Sequence, residues 1–157
     1  MNILAIDPGT KCGYCVMQGK RIIASGTWDL SVKRGEGGGM RFIRLRKYLD
    51  EVCKQYPPDF VLYEASGHFR SIAASAVYHG IVGKIMEHCE DGKLAYEGVP
   101  LATLKVYATG KGNANKEAMR AAAERRLSGV FHGLSEADDN EIDAVWLGLW
   151  GLENRAA

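Results

Sequence analysis

Met1-Asn2-Ile3-Leu4-Ala5-Ile6-Asp7-Pro8-Gly9-Thr10 is the stretch on which the fold turns. Ile3 to Ile6 are small or branched and apolar, so the run reads as a short strand buried on both faces. It delivers one carboxylate, Asp7, to the strand's end, where Pro8 and Gly9 stop it. An α/β sheet places its chemistry at the carboxyl ends of such strands. Asp also favours the start of an Asp-Pro-Gly turn, so these residues alone leave a site and a simple turn both open. The choice depends on what the remaining chain brings to Asp7.

Gly13 to Met17 and Arg21 to Trp28 read as two further strands joined at Gln18-Gly19-Lys20, which makes an antiparallel meander of three. After a helix that Pro57-Pro58 ends, Asp59-Phe60-Val61-Leu62-Tyr63-Glu64 is again an apolar strand finishing in a carboxylate. Adjacent parallel strands lie about 5 Å apart, so Asp7 and Glu64 at the ends of two such neighbours form a two-carboxylate pocket. Leu94 to Val99 reads as a fifth strand.

The last helix, within Ser135 to Leu152, packs through Ile142, Val145, Trp146 and Leu149. Asp139 and Asp143 stand one turn apart at the edge of that face, and Asn140 precedes Asp143 by three. Asp138 with Glu141 fits a capping box, and Glu136 suits a helix start. Asp143 has no such role. A carboxylate beside an apolar stripe, inside a helix, needs a partner or a metal.

Charge is distributed unevenly although the net charge is only +1. Between positions 33 and 47, Lys33, Arg34, Arg41, Arg44, Arg46 and Lys47 face the single acid Glu36, around Gly35 and Gly37-Gly38-Gly39. From Arg41 the apolar Phe42, Leu45, Leu49 and Val52 recur at helical spacing, which predicts a helix with arginines on its outer side. His68, Phe69 and Arg70 follow Glu64 on a loop, where an aromatic beside basic groups suits stacking on an unpaired base, unless Phe69 folds back into the core. Ser71 caps a helix to Cys89 whose first half is built from small residues, among them Ala73, Ala76 and Gly80, open to another helix or a second subunit. Lys105 to Lys116 combines Lys105, Lys111 and Lys116 with two glycines before a helix capped by Asn115, an arrangement that suits a phosphate. It lacks the GKS or GKT ending of a P-loop, so no nucleotide cofactor is expected.

A chain of 157 residues, 46% hydrophobic, fits one domain, 1–157, with a real core. The N-terminus has no secretory pattern and no apolar run approaches a bilayer's thickness, which predicts a cytoplasmic protein with no membrane partner. Cys12 and Cys15 form a lone CxxC on an expected strand, pointing to opposite faces, so the four cysteines read as reduced thiols.

Two strand-end acids and one or two helix acids gathered at a point repel unless a divalent cation neutralises them. Hard oxygen ligands favour Mg²⁺ or Mn²⁺, and a pair of such ions activates water and stabilises the leaving oxygen in phosphodiester cleavage.

In these features the chain resembles the RuvC-type Holliday junction resolvases, endonucleases with the ribonuclease H fold. The resemblance rests on Ile6-Asp7-Pro8-Gly9-Thr10 with Gly13-Tyr14, on Tyr63-Glu64, on Thr109 to Lys116, and on Asp143-Ala144. The first motif alone also resembles the phosphate loop of actin-like ATPases, which are far longer. The family implies an α/β, ribonuclease H-like fold, a mixed five-stranded sheet with three antiparallel then parallel strands and helices on both faces. It implies a homodimer that cuts four-way DNA junctions with two Mg²⁺ or Mn²⁺ ions per site. Asp7, Glu64 and Asp143 carry over as metal ligands and catalytic residues. The family's fourth ligand falls on Asn140, a neutral side chain, with Asp139 beside it as the charged substitute. The loop after Glu64 also departs from the cellular enzymes, with Phe69 the nearest aromatic. Arg41, Arg44, Phe69, Arg70, Lys105, Lys111 and Lys116 are the expected DNA contacts. Two other readings are a ribonuclease H-like nuclease that processes structured RNA and a non-catalytic protein that binds branched DNA.

Overall fold

The computed structural model describes residues 1–155. Its elements in chain order are β1 (Asn2–Asp7), β2 (Lys11–Gln18), β3 (Arg21–Asp29), α1 (Met40–Gln55), β4 (Phe60–Ala65), α2 (Ile72–Asp91), β5 (Ala95–Pro100), α3 (Leu101–Thr109), α4 (Lys116–Arg126) and α5 (Asp139–Arg155). The strands form one mixed sheet in the order β3-β2-β1-β4-β5. β1 is its centre, antiparallel to β2 and parallel to β4, and β5 continues the parallel half.

The opening strand is apolar throughout because both of its faces are covered. Leu4 and Ile6 join Cys12, Val16 and Val61 in a core under α1 and α2. Ile3 and Ala5 join Cys15, Met17 and Leu62 in a second core under α3, α4 and α5. Cys12 and Cys15 accordingly lie on opposite faces as free thiols, and burial raises the pKa of each. Gly19 takes a positive φ of 55° in the β2–β3 turn, a conformation glycine adopts without cost.

Ser71 accepts a hydrogen bond from the Ala74 amide and Asn115 accepts one from the Ala118 amide, so both expected caps form. Three details differ from the sequence reading. Leu101 to Thr109 is a helix, where the sequence reading assigned no element. Pro100 starts it with φ of −58° and Gly110 ends it with φ of 84°, while Leu104 and Ala108 bury its inner side. Its β-branched Thr103, Val106 and Thr109 obscured the pattern. α5 extends beyond Leu152 to Arg155. Finally, Phe42 of α1 lies under Gly80, where an added Cβ would meet the ring at 2.6 Å, so that part of the small-residue face is filled within the chain.

Glycines also seat α5 on the sheet. A Cβ at Gly148 would lie 2.9 Å from Met17, and one at Gly151 would lie 2.3 Å from Leu62. At the helix start, a Cβ on Gly13 of β2 would fall 1.9 Å from the Asn140 carbonyl oxygen. Those close approaches bring the first turns of α5 over the ends of β1 and β4.

Candidate metal centre

Side-chain alternation and strand register build the site. Ile6 is opposite Tyr63 in the parallel β1–β4 pair, so the next residues, Asp7 and Glu64, end the two strands side by side. Asp7 follows Ile3 and Ala5, and Glu64 follows Leu62, onto the face that α5 covers. Asp143 comes down from α5, next to the buried Ile142, Val145 and Trp146. One carboxylate oxygen from each of Asp7, Glu64 and Asp143 lies within 4.8 Å of the others. Glu64 is buried and the other two are half-buried.

Such crowding costs free energy, and it appears in the proton affinities. Burial, then the neighbouring Glu64 and Asp143 carboxylates, hold Asp7 well above the usual carboxylate range. Burial also raises Glu64, against an opposing hydrogen bond with Asp7 and the positive charge of Lys105. Burial, Glu64 and Asp139 push Asp143 up to about 7, against Lys116 and Lys105. Three converging hard oxygen donors, kept reluctant to ionise chiefly by burial, fit a divalent cation that replaces their protons.

Beside the trio opens a cavity of about 380 Å³, lined by Glu64, Lys105, Lys116, Arg120, Asp139, Asn140 and Asp143 among others. Lys105 projects from α3 and Lys116 from the start of α4, so the two cations face the carboxylates from one side. Asp139 is exposed at the cavity's edge and lies outside the tight trio; Asn140 is half-buried there.

The remaining expected contacts are placed differently from one another. Lys111 is exposed in the turn between α3 and α4, outside the cavity, where its amide donates to the Thr109 hydroxyl. Arg44 donates to the Glu36 carboxylate and to the Ser31 carbonyl, so it ties down the glycine loop. Arg41 is half-buried with its Nε free of any hydrogen-bond partner. Phe69 is half-buried and rests on Tyr78 and His79, with ring centroids at 5.0 and 5.4 Å, whereas Arg70 is exposed.

Several supporting groups escaped the sequence reading. The Tyr78 hydroxyl donates to the Glu64 carbonyl and accepts from the Ser66 amide, each at 2.8 Å, which fixes the end of β4. Asp138 caps α5 by accepting from the Glu141 amide, as expected, but the Glu141 carboxylate turns to the Ser25 hydroxyl on β3. Arg120 sits one helical turn after Lys116. That spacing was the available signal for it.

No protein-family model matches the chain. It is 27% identical over 154 residues to the crossover junction endodeoxyribonuclease RuvC of Brachyspira hyodysenteriae, covering 95% of this chain and 92% of that one. The Thermus thermophilus RuvC structure in complex with Holliday junction substrate superposes with a TM-score of 0.76 at 21% identity, covering 95% of this chain and 91% of the other. The yeast mitochondrial Holliday junction resolvase superposes with a TM-score of 0.71 at 11% identity, over 96% and 77%. The chain is thus similar in sequence to a RuvC crossover junction endodeoxyribonuclease, and it shares the fold of solved Holliday junction resolvases.

Proposed function

We propose that the chain is a single nuclease domain, a metal-dependent endonuclease that cleaves phosphodiester bonds in four-way junctions and other branched DNA as a homodimer. The observation that carries this reading is the convergence of Asp7, Glu64 and Asp143 within 4.8 Å beside a lysine-lined cavity. Those three residues hold two Mg²⁺ or Mn²⁺ ions, with Asp139 or Asn140 completing the set. When bound, such ions lower the pKa of water and neutralise charge on the leaving oxygen.

The protein's own groups do the rest. Tyr78 keeps Glu64 in place through the backbone. Lys105 and Lys116 offset the negative charge of the carboxylates and provide the cationic wall along which a phosphate lies. Arg70, Arg41 and Lys111 stand farther out, where basic groups supply sequence-independent affinity. Arg44 shapes the glycine loop as well, through Glu36. Phe69, half-buried against Tyr78 and His79 of α2, is the aromatic that would stack on an unpaired base. A four-way junction has equivalent strands to cut, which a two-fold enzyme matches. The exposed Ile72, Ala73 and Ala76 of α2 offer the contact face.

The test is incubation of the protein with a labelled four-way junction, a linear duplex and a structured RNA, each with Mg²⁺, Mn²⁺ or a chelator. Cleavage of the junction alone or preferentially, and only with metal, is the expected result. Preferential RNA cleavage would assign it to structured RNA, and metal-independent junction binding with no cleavage would make it a binding protein.

A further inference from the structure

Asp143 reaches the trio only because the first turn of α5 stays pressed against the sheet, and the carboxylates oppose that. One carboxylate oxygen each of Asp7, Glu64 and Asp143 lies within 4.8 Å of the others, and acids gathered that closely push the helix start outward. Something uncharged or positive has to hold it.

Two sets of contacts do so from opposite sides. On β3, the Thr27 hydroxyl donates to Asp138 and the Ser25 hydroxyl donates to Glu141, both at 2.7 Å. On α4, Arg120 donates through Nη1 to the Ala137 carbonyl at 2.8 Å and reaches the Leu134 carbonyl at 3.5 Å. Ala137 immediately precedes the Asp138 cap. Its carbonyl marks where α5 begins, so the guanidinium sets the position of Asp139, Asn140 and Asp143 together. The segment from 128 to 138 is a run of turns, not helix or strand; Ala137 donates its amide to the Gly133 and Leu134 carbonyls, and Phe131, Leu134 and Ala137 bury their side chains, so Arg120 adds the tie from outside the segment. Arg120 also lines the cavity, half-buried, with Glu124 3.6 Å from its Nε.

We propose that Arg120, seconded by Thr27, is a positioning residue that clamps the first turn of α5 and so preorganises the carboxylate trio for divalent metal. This rests on the reading of the trio as a metal site. Groups that orient metal ligands without touching the metal are worth 10- to 100-fold in affinity in known sites. The clamp resembles them in acting through the backbone that carries the ligand.

Mn²⁺ binding to the DNA-free protein, followed by the electron paramagnetic resonance signal of free Mn²⁺, tests it. Arg120→Ala should weaken binding about tenfold or more, Arg120→Lys should recover part of the loss, and Thr27→Val should weaken it in the same direction. On a junction substrate, Arg120→Ala should lower kcat with little change in KM. Wild-type Mn²⁺ affinity in Arg120→Ala, together with weakened junction binding, would make Arg120 a phosphate contact and overturn the proposal. If Arg120→Ala does not fold, undiminished Mn²⁺ affinity in Thr27→Val overturns it. A wild type that binds no Mn²⁺ defeats the metal reading itself, before any variant is compared.

Discussion

At the scale of single residues, Asp143 holds most of the consequences. Its folded-state pKa is raised from 3.8 to about 7, mainly by burial and then by Glu64 and Asp139. Between those pH values the native state binds more protons than the unfolded chain, so stability of the metal-free protein falls as pH rises. Thermal unfolding with a chelator present should therefore show a higher Tm at pH 6 than at pH 8. Asp143→Asn should raise the unfolding free energy at pH 8 by on the order of 1 kcal/mol or more, and flatten the dependence. Added Mg²⁺ should stabilise the wild type most at pH 8, where its protons are already gone, and the variant little. Metal titration of cleavage in two variants distinguishes Asp139 from Asn140 as the residue that completes the ligand set. Asp139 adds a charge but stands exposed outside the trio, whereas Asn140 is half-buried at the family's ligand position. If charge decides, Asp139→Asn raises the Mg²⁺ concentration needed for cleavage and Asn140→Ala matters less; if position decides, the order reverses. The sequence displayed Asp7 and Glu64 openly, because an acid after four apolar strand residues is hard to miss. It could not rank Asp139 against Asn140, since adjacent helical residues differ by a rotation that only packing fixes.

At the scale of elements, the site depends on how closely α5 approaches β1, β2 and β4. Gly13 is the sensitive point, because its missing Cβ makes room for the Asn140 carbonyl. Gly13→Ala must displace backbone, and no flexible side chain can yield instead. It should destabilise the protein by about 1 to 3 kcal/mol in urea unfolding and weaken Mn²⁺ binding as well. The five strands, α1, α2 and α4 with their caps were legible from apolar periodicity and from Ser71 and Asn115. α3 was not, because β-branched residues interrupt a helix of only nine. The ties across elements were not legible either. Thr27 to Asp138 spans 111 residues and Ser25 to Glu141 spans 116, and nothing local in either segment announces the other. Arg44 shows how a residue read as a DNA contact also carries a tie the sequence did not announce, its pairing with Glu36 eight residues earlier.

At the scale of the whole molecule, the sheet collects acids at one end of its central strands, while α3 and α4 bring lysines to the same end. Among the described residues no helix is long and apolar enough to cross a membrane. On α2, Ile72 is 91% exposed, and Ala73 and Ala76 are exposed beside it. Ala76→Arg on that face should convert a dimer into monomers by light scattering and uncouple the two incisions of a junction. A wild type that stays monomeric on DNA would remove the dimer. The claim beneath all of these is that the three converging carboxylates cut DNA without being needed to hold it. The direct measurement compares Asp7→Asn, Glu64→Gln and Asp143→Asn with wild type for both binding and cleavage of one four-way junction, in Ca²⁺ and then in Mg²⁺. The account predicts that each variant folds, binds the junction about as well as wild type, and fails to cleave it. Wild-type cleavage by any of the three would contradict it.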